Sequence, residues 1–293
     1  AASEPGRSTR LHVEKQPGEL SRSSTNDCAS RNAIMLKLAA NLSMLFGENP
    51  LLERFSLAAR AGFNAVEMWF PYEYPVATVA HELEKHHLKL IGINTPAGDT
   101  ARGEWGLSAL PGREEEARKA IDLAIHYAAA LQCPAIHVMA GVTEGFDRQQ
   151  CANTFIDNVR YAADRAKPHN ITILLEGLSP ATRPGYLFSS QYQAMEYIRQ
   201  ADRDNIRLQL DIFHAQQVDG NLTYLLKNFK EYIGHIQIAS VPARQEPIDG
   251  EVDYQWIFAV LEQEKYEGYV AAEYSPRAGT QAGLRWAQPW LNN

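Results

Sequence analysis

Residues 114–141 read EEEARKAIDLAIHYAAALQCPAIHVMAG, and the change of rhythm halfway along this stretch decides the fold. Ala117, Ile121, Ala124, Ile125, Ala128 and Leu131 recur at three- and four-residue spacing, which lays one apolar stripe along a helix. Glu114, Glu115 and Glu116 fall in its first turn, where the macrodipole favours acids. After Pro134 the period changes, and Ala135–Val138 is a short apolar run of strand type. Outward from this unit the same alternation continues in both directions. The apolar runs are 36–40, 65–68, 88–93, 135–138, 171–175, 206–210, 233–238 and 269–272. Strands that are apolar throughout are buried on both faces, and with helices between them they form a parallel sheet. Eight such units predict closure into a single (β/α)8 TIM barrel over residues 35–293. The glycine-rich fingerprints of nucleotide-binding open sheets are absent.

Residues 1–34 differ from the rest. They are rich in Ser, Arg, Pro and Gly, lack aromatics and carry five basic and four acidic residues, too many acids for a transit peptide. Met35 directly precedes the first apolar run, so it is read as the native start and 1–34 as a disordered or non-native extension. Intact mass of the protein from its native host tests this.

The 293-residue chain is 45% hydrophobic and 22% charged, an ordinary globular composition, with a net charge of −7. Without a basic surplus, neither nucleic acid nor an anionic membrane is an expected partner. No apolar stretch approaches the ~20 residues of a membrane span. Three cysteines (Cys28, Cys133, Cys151) without metal-type spacing, and no secretory segment, point to reduced thiols in a cytoplasm. A homo-oligomer is neither required nor excluded.

In such barrels chemistry sits at the C-terminal strand ends. Reading those ends in order gives Asn41, Glu67, Asn94, His137, Glu176, Asp211, Gln237 and Glu273. Packing does not call for such groups, because an unpaired buried carboxylate is costly. Carboxylates on the fifth, sixth and eighth strands, with a carboxamide on the seventh, would converge on one volume. Their repulsion calls for a cation or shared protons, and an all-oxygen set favours one divalent ion, Mg²⁺ or Mn²⁺. Any one of them taken alone could equally be a helix cap or an ion-pair member. His214 suits a hydrogen-bond donor to a substrate oxygen, or a capping histidine. Arg244 suits a bidentate carboxylate clamp, or a solvated surface group. The long loop Thr95–Arg113 has the length of a lid, and Trp69, Phe70 and Trp105 are candidate apolar walls.

At these residues the chain resembles the hydroxypyruvate isomerase family of xylose isomerase-like barrels, from about Leu36 to Trp290. The resemblance is carried by Ala-Ala-Asn-Leu-Ser-Met-Leu-Phe (39–46), Asn-Thr-Pro-Ala-Gly-Asp (94–99), Asp-Ile-Phe-His (211–214), His-Ile-Gln-Ile-Ala (235–239) and Glu-Tyr-Ser-Pro-Arg (273–277). It implies that Glu176, Asp211, Gln237 and Glu273 are metal ligands, that Glu176 and Glu273 are the acid/base pair, and that His214 contacts substrate. Arg244 falls in the loop where the family often has Pro-x-Arg-x-Glu-Pro, here Pro242-Ala-Arg-Gln-Glu-Pro247; Glu67 and His137 are further substrate-binding candidates. Many hydroxypyruvate isomerases have Glu-Pro-Ile-Asn after the fifth strand, where this chain reads Glu176-Gly-Leu-Ser-Pro180. With residues 103–114 and 186–193, that departure is more similar to the 2-oxo-tetronate isomerase branch. The implied reaction is a metal-assisted aldose–ketose type isomerisation through an enediolate, on 2-oxo-tetronate or on hydroxypyruvate. A sugar C3-epimerase and a non-catalytic barrel that binds a sugar acid are the alternatives.

Overall fold

A computed structural model describes residues 36–291. The expected extension at 1–34, with Cys28, lies outside the described residues. Nine strands form one wholly parallel sheet: β1 (Lys37–Asn41), β2 (Ala65–Glu67), β3 (Lys89–Leu90), β4 (Ile93–Asn94), β5 (Ala135–His137), β6 (Thr172–Leu175), β7 (Ile206–Asp211), β8 (Ile233–Ile238) and β9 (Tyr269–Ala272). The sheet order is β3-β2-β1-β9-β8-β7-β6-β5-β4. Its two ends, β3 and β4, are halves of the single apolar run 88–93. β3 pairs with β2 and β4 with β5, so the chain itself completes the ring at Ile91 and Gly92. Backbone bonds continue across the join, from Ile91 N to the Val66 carbonyl (2.9 Å) and from Met68 N to the Gly92 carbonyl (3.2 Å). The eight-unit barrel expected from the sequence is therefore present, with its third strand divided.

After α1 (Leu51–Arg60) and α2 (Val76–Lys85), the helix read from the 114–131 stripe is α3 (Glu114–Ala130), and it buries Ala117, Ile121, Ala124, Ile125 and Ala128 as the spacing requires. Other helices start on side-chain caps that satisfy their first backbone N–H groups. Asp147 accepts from Gln150 N at 2.9 Å to open α4 (Arg148–Ala166), and Ser190 and Gln193 form a capping box at α5 (Gln191–Ala201). No helix among the described residues is long and apolar enough to cross a membrane. Cys133 and Cys151 are buried free thiols.

Side chains two residues apart on a strand share a face. Asn41, Glu67, Asp211, Gln237 and Glu273 therefore share faces with Ala39, Ala65, Gln209, His235 and Ala271. Ala39, Ala65, Ile91 and Ala271 pack together as one small cluster, and the polar side chains follow it toward the C-terminal strand ends. Small alanines on the inward face leave room for that polar layer, which the fold directs to the mouth of the barrel.

Candidate active site

The floor of the site is a closed hydrogen-bond network around Glu67, a side chain only 4% exposed. Its Oε2 meets His235 Nε2 at 2.6 Å, and its Oε1 accepts from Gln237 Nε2 (2.7 Å) and Asn41 Nδ2 (3.0 Å). Burial alone would raise the Glu67 carboxyl; His235, Gln237 and Asn41 outweigh it and hold it below the usual carboxylate range. Asn41 also donates to Glu273 Oε1 at 3.1 Å and so ties the floor to the layer above. Glu67 is one of the substrate-contact candidates read from the sequence. Both its oxygens are taken by protein donors, and it does not line the cavity.

Above it stand the carboxylates of Glu176, Asp211 and Glu273, all buried. Burial first, then the negative charges of Asp211 and Glu273, push the Glu176 carboxyl well above its ordinary range. Burial also raises Glu273, against the opposing pull of Arg244. Gln209 Nε2 donates to Glu176 Oε2 at 2.9 Å, and Trp69 Nε1 donates to Glu273 Oε1 at 2.7 Å. Arg244 Nη2 lies 3.3 Å from Glu273 Oε2 and 3.8 Å from Asp211 Oδ2. One guanidinium among three carboxylates leaves negative charge that protons or a cation must offset.

The two histidines are neutral. Burial, helped by His214, drops His137 to about 3, and burial drops His214 to about 4. His214 Nδ1 accepts the Ser179 backbone N–H at 3.0 Å, so its proton sits on Nε2. That nitrogen is 3.7 Å from Asp211 Oδ2 and 3.9 Å from Glu176 Oε1. Donor atoms of Glu176, Asp211 and His214 all lie within 4.8 Å of one another, a spacing one cation can bridge. With its proton on Nε2, however, His214 faces that volume as a hydrogen-bond donor rather than as a ligand.

These groups open on a cavity of about 110 Å³, far below the 300–1,000 Å³ of a drug-sized pocket. Glu176, Glu273, His137, His214 and Arg244 line it, together with Trp69, Trp105, Asn94 and Arg183. Trp69, Phe70 and Trp105 form an edge-to-face triad with centroids 5.8–6.3 Å apart. Among the described residues, eight buried side-chain N or O atoms lack a hydrogen-bond partner. Six belong to this site: both ring nitrogens of His137, Asp211 Oδ2, Gln237 Oε1, Arg183 Nε and Arg244 Nε. Buried polar atoms are rarely orphaned, so their concentration here marks surfaces shaped for something other than protein. The donor set suits a divalent cation. Glu67 takes the Gln237 amide NH₂ and leaves its Oε1 free, and Asp211 spends Oδ1 capping α6 (Ile212–Val218) at Phe213 N, 2.8 Å, and leaves Oδ2 free.

Asp211 thus caps the helix through one oxygen and keeps the other unpartnered beside Glu176 and His214. Sequence reading missed Gln209 and His235, although each lies two residues before a predicted site residue and shares its strand face. It also missed Arg183, which no spacing marks.

A family model described as xylose isomerase-like TIM barrel matches residues 55–290. A 2-oxo-tetronate isomerase from Pectobacterium atrosepticum is 55% identical, over 88% of this chain and 98% of its own length. A hydroxypyruvate isomerase from Escherichia coli is 42% identical, over 87% of this chain and all of its own. A solved structure described as an AP endonuclease, family 2, from Brucella melitensis is 48% identical, superposes with a TM-score of 0.87, and covers 88% of this chain.

Proposed function

The chain belongs to the hydroxypyruvate isomerase family of xylose isomerase-like TIM barrels and is an isomerase, and from that premise we propose that it moves the carbonyl of a short hydroxy-oxo acid to the neighbouring carbon. The proposed substrate is 2-oxo-tetronate, which would become 3-oxo-tetronate; hydroxypyruvate, giving tartronate semialdehyde, is the three-carbon counterpart. The observation that carries the reading is the pair of buried carboxyls, Glu176 and Glu273, both raised and both lining one small cavity.

A carboxyl raised in this way keeps its proton to higher pH and is a stronger base once ionised, which is what a proton transfer between adjacent carbons needs. In the proposed reaction one glutamate takes the proton from the hydroxyl-bearing carbon, and the electron pair moves to the former carbonyl oxygen. The resulting enediolate is protonated on the other carbon by the second glutamate, while the hydroxyl proton passes between the two oxygens. The glutamates exchange roles in the reverse direction. His214 Nε2–H, and His137 with both nitrogens unpaired, are suited to donate to those oxygens as charge develops on them. Trp69 fixes Glu273 and Gln209 fixes Glu176, so neither base needs to reorganise. Trp105 and Phe70 complete an apolar wall against water. A divalent cation held by Glu176, Asp211, Gln237 and Glu273 would supply Lewis-acid stabilisation of the enediolate oxygens.

The likeness to the Brucella melitensis structure favours a second reading, an endonuclease of the same barrel class. The net charge of −7 gives a polyanion no electrostatic hold. Among the described residues only one group of three metal-donating side chains comes together.

The test uses chelator-stripped protein reloaded with Mg²⁺ or Mn²⁺ and offered each acid in D₂O, with products followed by NMR. Carbonyl migration with deuterium on the new hydroxyl-bearing carbon is expected. Inversion at one carbon without migration would make the protein an epimerase, and no exchange with either acid would remove the reading.

A further inference from the structure

The loop after β6 brings Arg183 into the same cavity, and nothing in the reaction above uses it. Its guanidinium carbon lies 4.0 Å from the centroid of the Trp105 ring, a stacked cation–π contact that fixes the plane of the group. Stacking leaves the N–H edge without a partner. Nε is buried and unbonded, and the side chain makes no hydrogen bond or ion pair within the described chain.

Several other arginines are engaged. Arg113 is held by Glu104 and Glu116, Arg277 by Asp249, and Arg54 by the backbone carbonyls of Asn49 and Leu42. Arg244, which shares the cavity, spends Nη2 on Glu273. Burial and the positive charge of Arg244 both work against the charged form of Arg183, and no carboxylate offsets them. Two guanidiniums close together in a partly dry cavity repel unless an anion comes between them. A planar carboxylate suits such an edge, because its two oxygens match the spacing of the N–H fork.

We propose that Arg183, held in place by Trp105, binds the carboxylate of the substrate and makes the site select hydroxy-oxo acids over neutral sugars of the same chain length. The identity of the acid rests on the proposed isomerase function; the selection of an anion rests on Arg183 alone. The carboxylate would then lie at the Arg183–Trp105 side of the cavity, with the reacting carbons toward Glu176 and Glu273. Arg183 sits in the loop that begins Glu176-Gly-Leu-Ser-Pro180.

The test compares wild type, R183Q and R183K, each loaded with Mn²⁺, on 2-oxo-tetronate and on erythrulose, which carries a hydroxymethyl group in place of the carboxylate. The ratio of kcat/KM for acid over erythrulose should fall by about 10–100-fold in R183Q, the worth of a charge-assisted hydrogen bond. R183K should recover part of it, as a point charge without the fork. An unchanged ratio in folded R183Q, or an equal loss on both substrates, overturns the proposal. Quenching of tryptophan fluorescence by threonate and by threitol, which have no carbonyl to isomerise, gives an independent readout. Wild type should prefer threonate and R183Q should not; a preference that survives in R183Q, or is missing from wild type, refutes the role of Arg183. If wild type does not isomerise 2-oxo-tetronate, the proposed substrate falls, and the threonate preference still decides for or against Arg183.

Discussion

Glu67 illustrates how a residue can serve a site it does not touch. An amide is nearly symmetric in shape, and what turns the oxygen of Gln237 away from Glu67 is the need of the Glu67 carboxylate for a donor. In E67Q that need is gone, and either face of Gln237 can be accepted. Mn²⁺ affinity, read by calorimetry, should fall roughly 10–100-fold, as for other outer partners of metal ligands, while E67D should lose less. E176Q and E273Q should each lose at least ~10²-fold in kcat with the fold intact, the low end for a general base. Near-normal turnover by either would release that residue from the role. The sign of the pH dependence follows from the raised carboxyls. Raised carboxyls keep their protons to higher pH than free ones and a cation competes with those protons, so cation affinity should rise with pH and binding should release protons. Calorimetry in two buffers of different ionisation heat measures that release, and its absence would mean the carboxylates are already ionised. Glu176, Asp211 and Glu273 were legible in the sequence because a carboxylate ending an apolar strand has no packing rationale. Arg183 was not, because its significance lies in the lack of a partner, and sequence does not record who fails to meet.

The loop 95–113 has the length of a mobile lid, yet it is pinned. Gly106 N bonds the Ala97 carbonyl at 2.8 Å, Ala109 N bonds the Ala140 carbonyl at 2.7 Å, and Leu107 and Leu110 pack on Ala117 and Ala120 of α3. Gly106 makes this possible. Its φ is +111°, and a Cβ there would sit 2.5 Å from the Met139 carbonyl oxygen. G106A should therefore cost at least the ~1–3 kcal/mol of a strained backbone, seen as a lower urea midpoint. It should also displace Trp105, changing tryptophan emission. A variant as stable as wild type would show the loop to be free of the barrel. Length and glycine content announce a binding loop, but the mate of each backbone group is set by the strand beside it, which local sequence does not name. The division of the third strand was hidden for the same reason. Leu88–Ile93 reads as one apolar run, and the break appears only because its two halves pair with different neighbours.

Across the whole molecule, apolar periodicity was enough to read the barrel, since eight runs that are buried on both faces have few other arrangements. The inward faces were less legible. Alternation puts Gln209 and His235 on the faces of Asp211 and Gln237, but which groups they meet depends on strand register, and between β7 and β8 the register shifts at Leu208/Gln209. Three carboxyls in one interior repel one another wherever they are ionised. A cation bound only by the folded state should stabilise it by mass action, about 2.7 kcal/mol at a hundred times Kd. Mn²⁺ or Mg²⁺ should raise the Tm of wild type and leave D211N nearly unmoved; equal shifts in both would locate the ion elsewhere.

The pairing of β1 with β9, from Lys37↔Tyr269 to Ala40↔Ala272, has a consequence for how the protein is made. On the ribosome β1 emerges before all the other strands of the sheet and β9 after them, so one edge of the nascent sheet waits through the synthesis of β2 to β8 without the strand that will cover it. Arrest of translation shortly before residue 269 should leave a chain that chaperones retain and proteases cut. Release of the last strands should convert it to a resistant form in a single step.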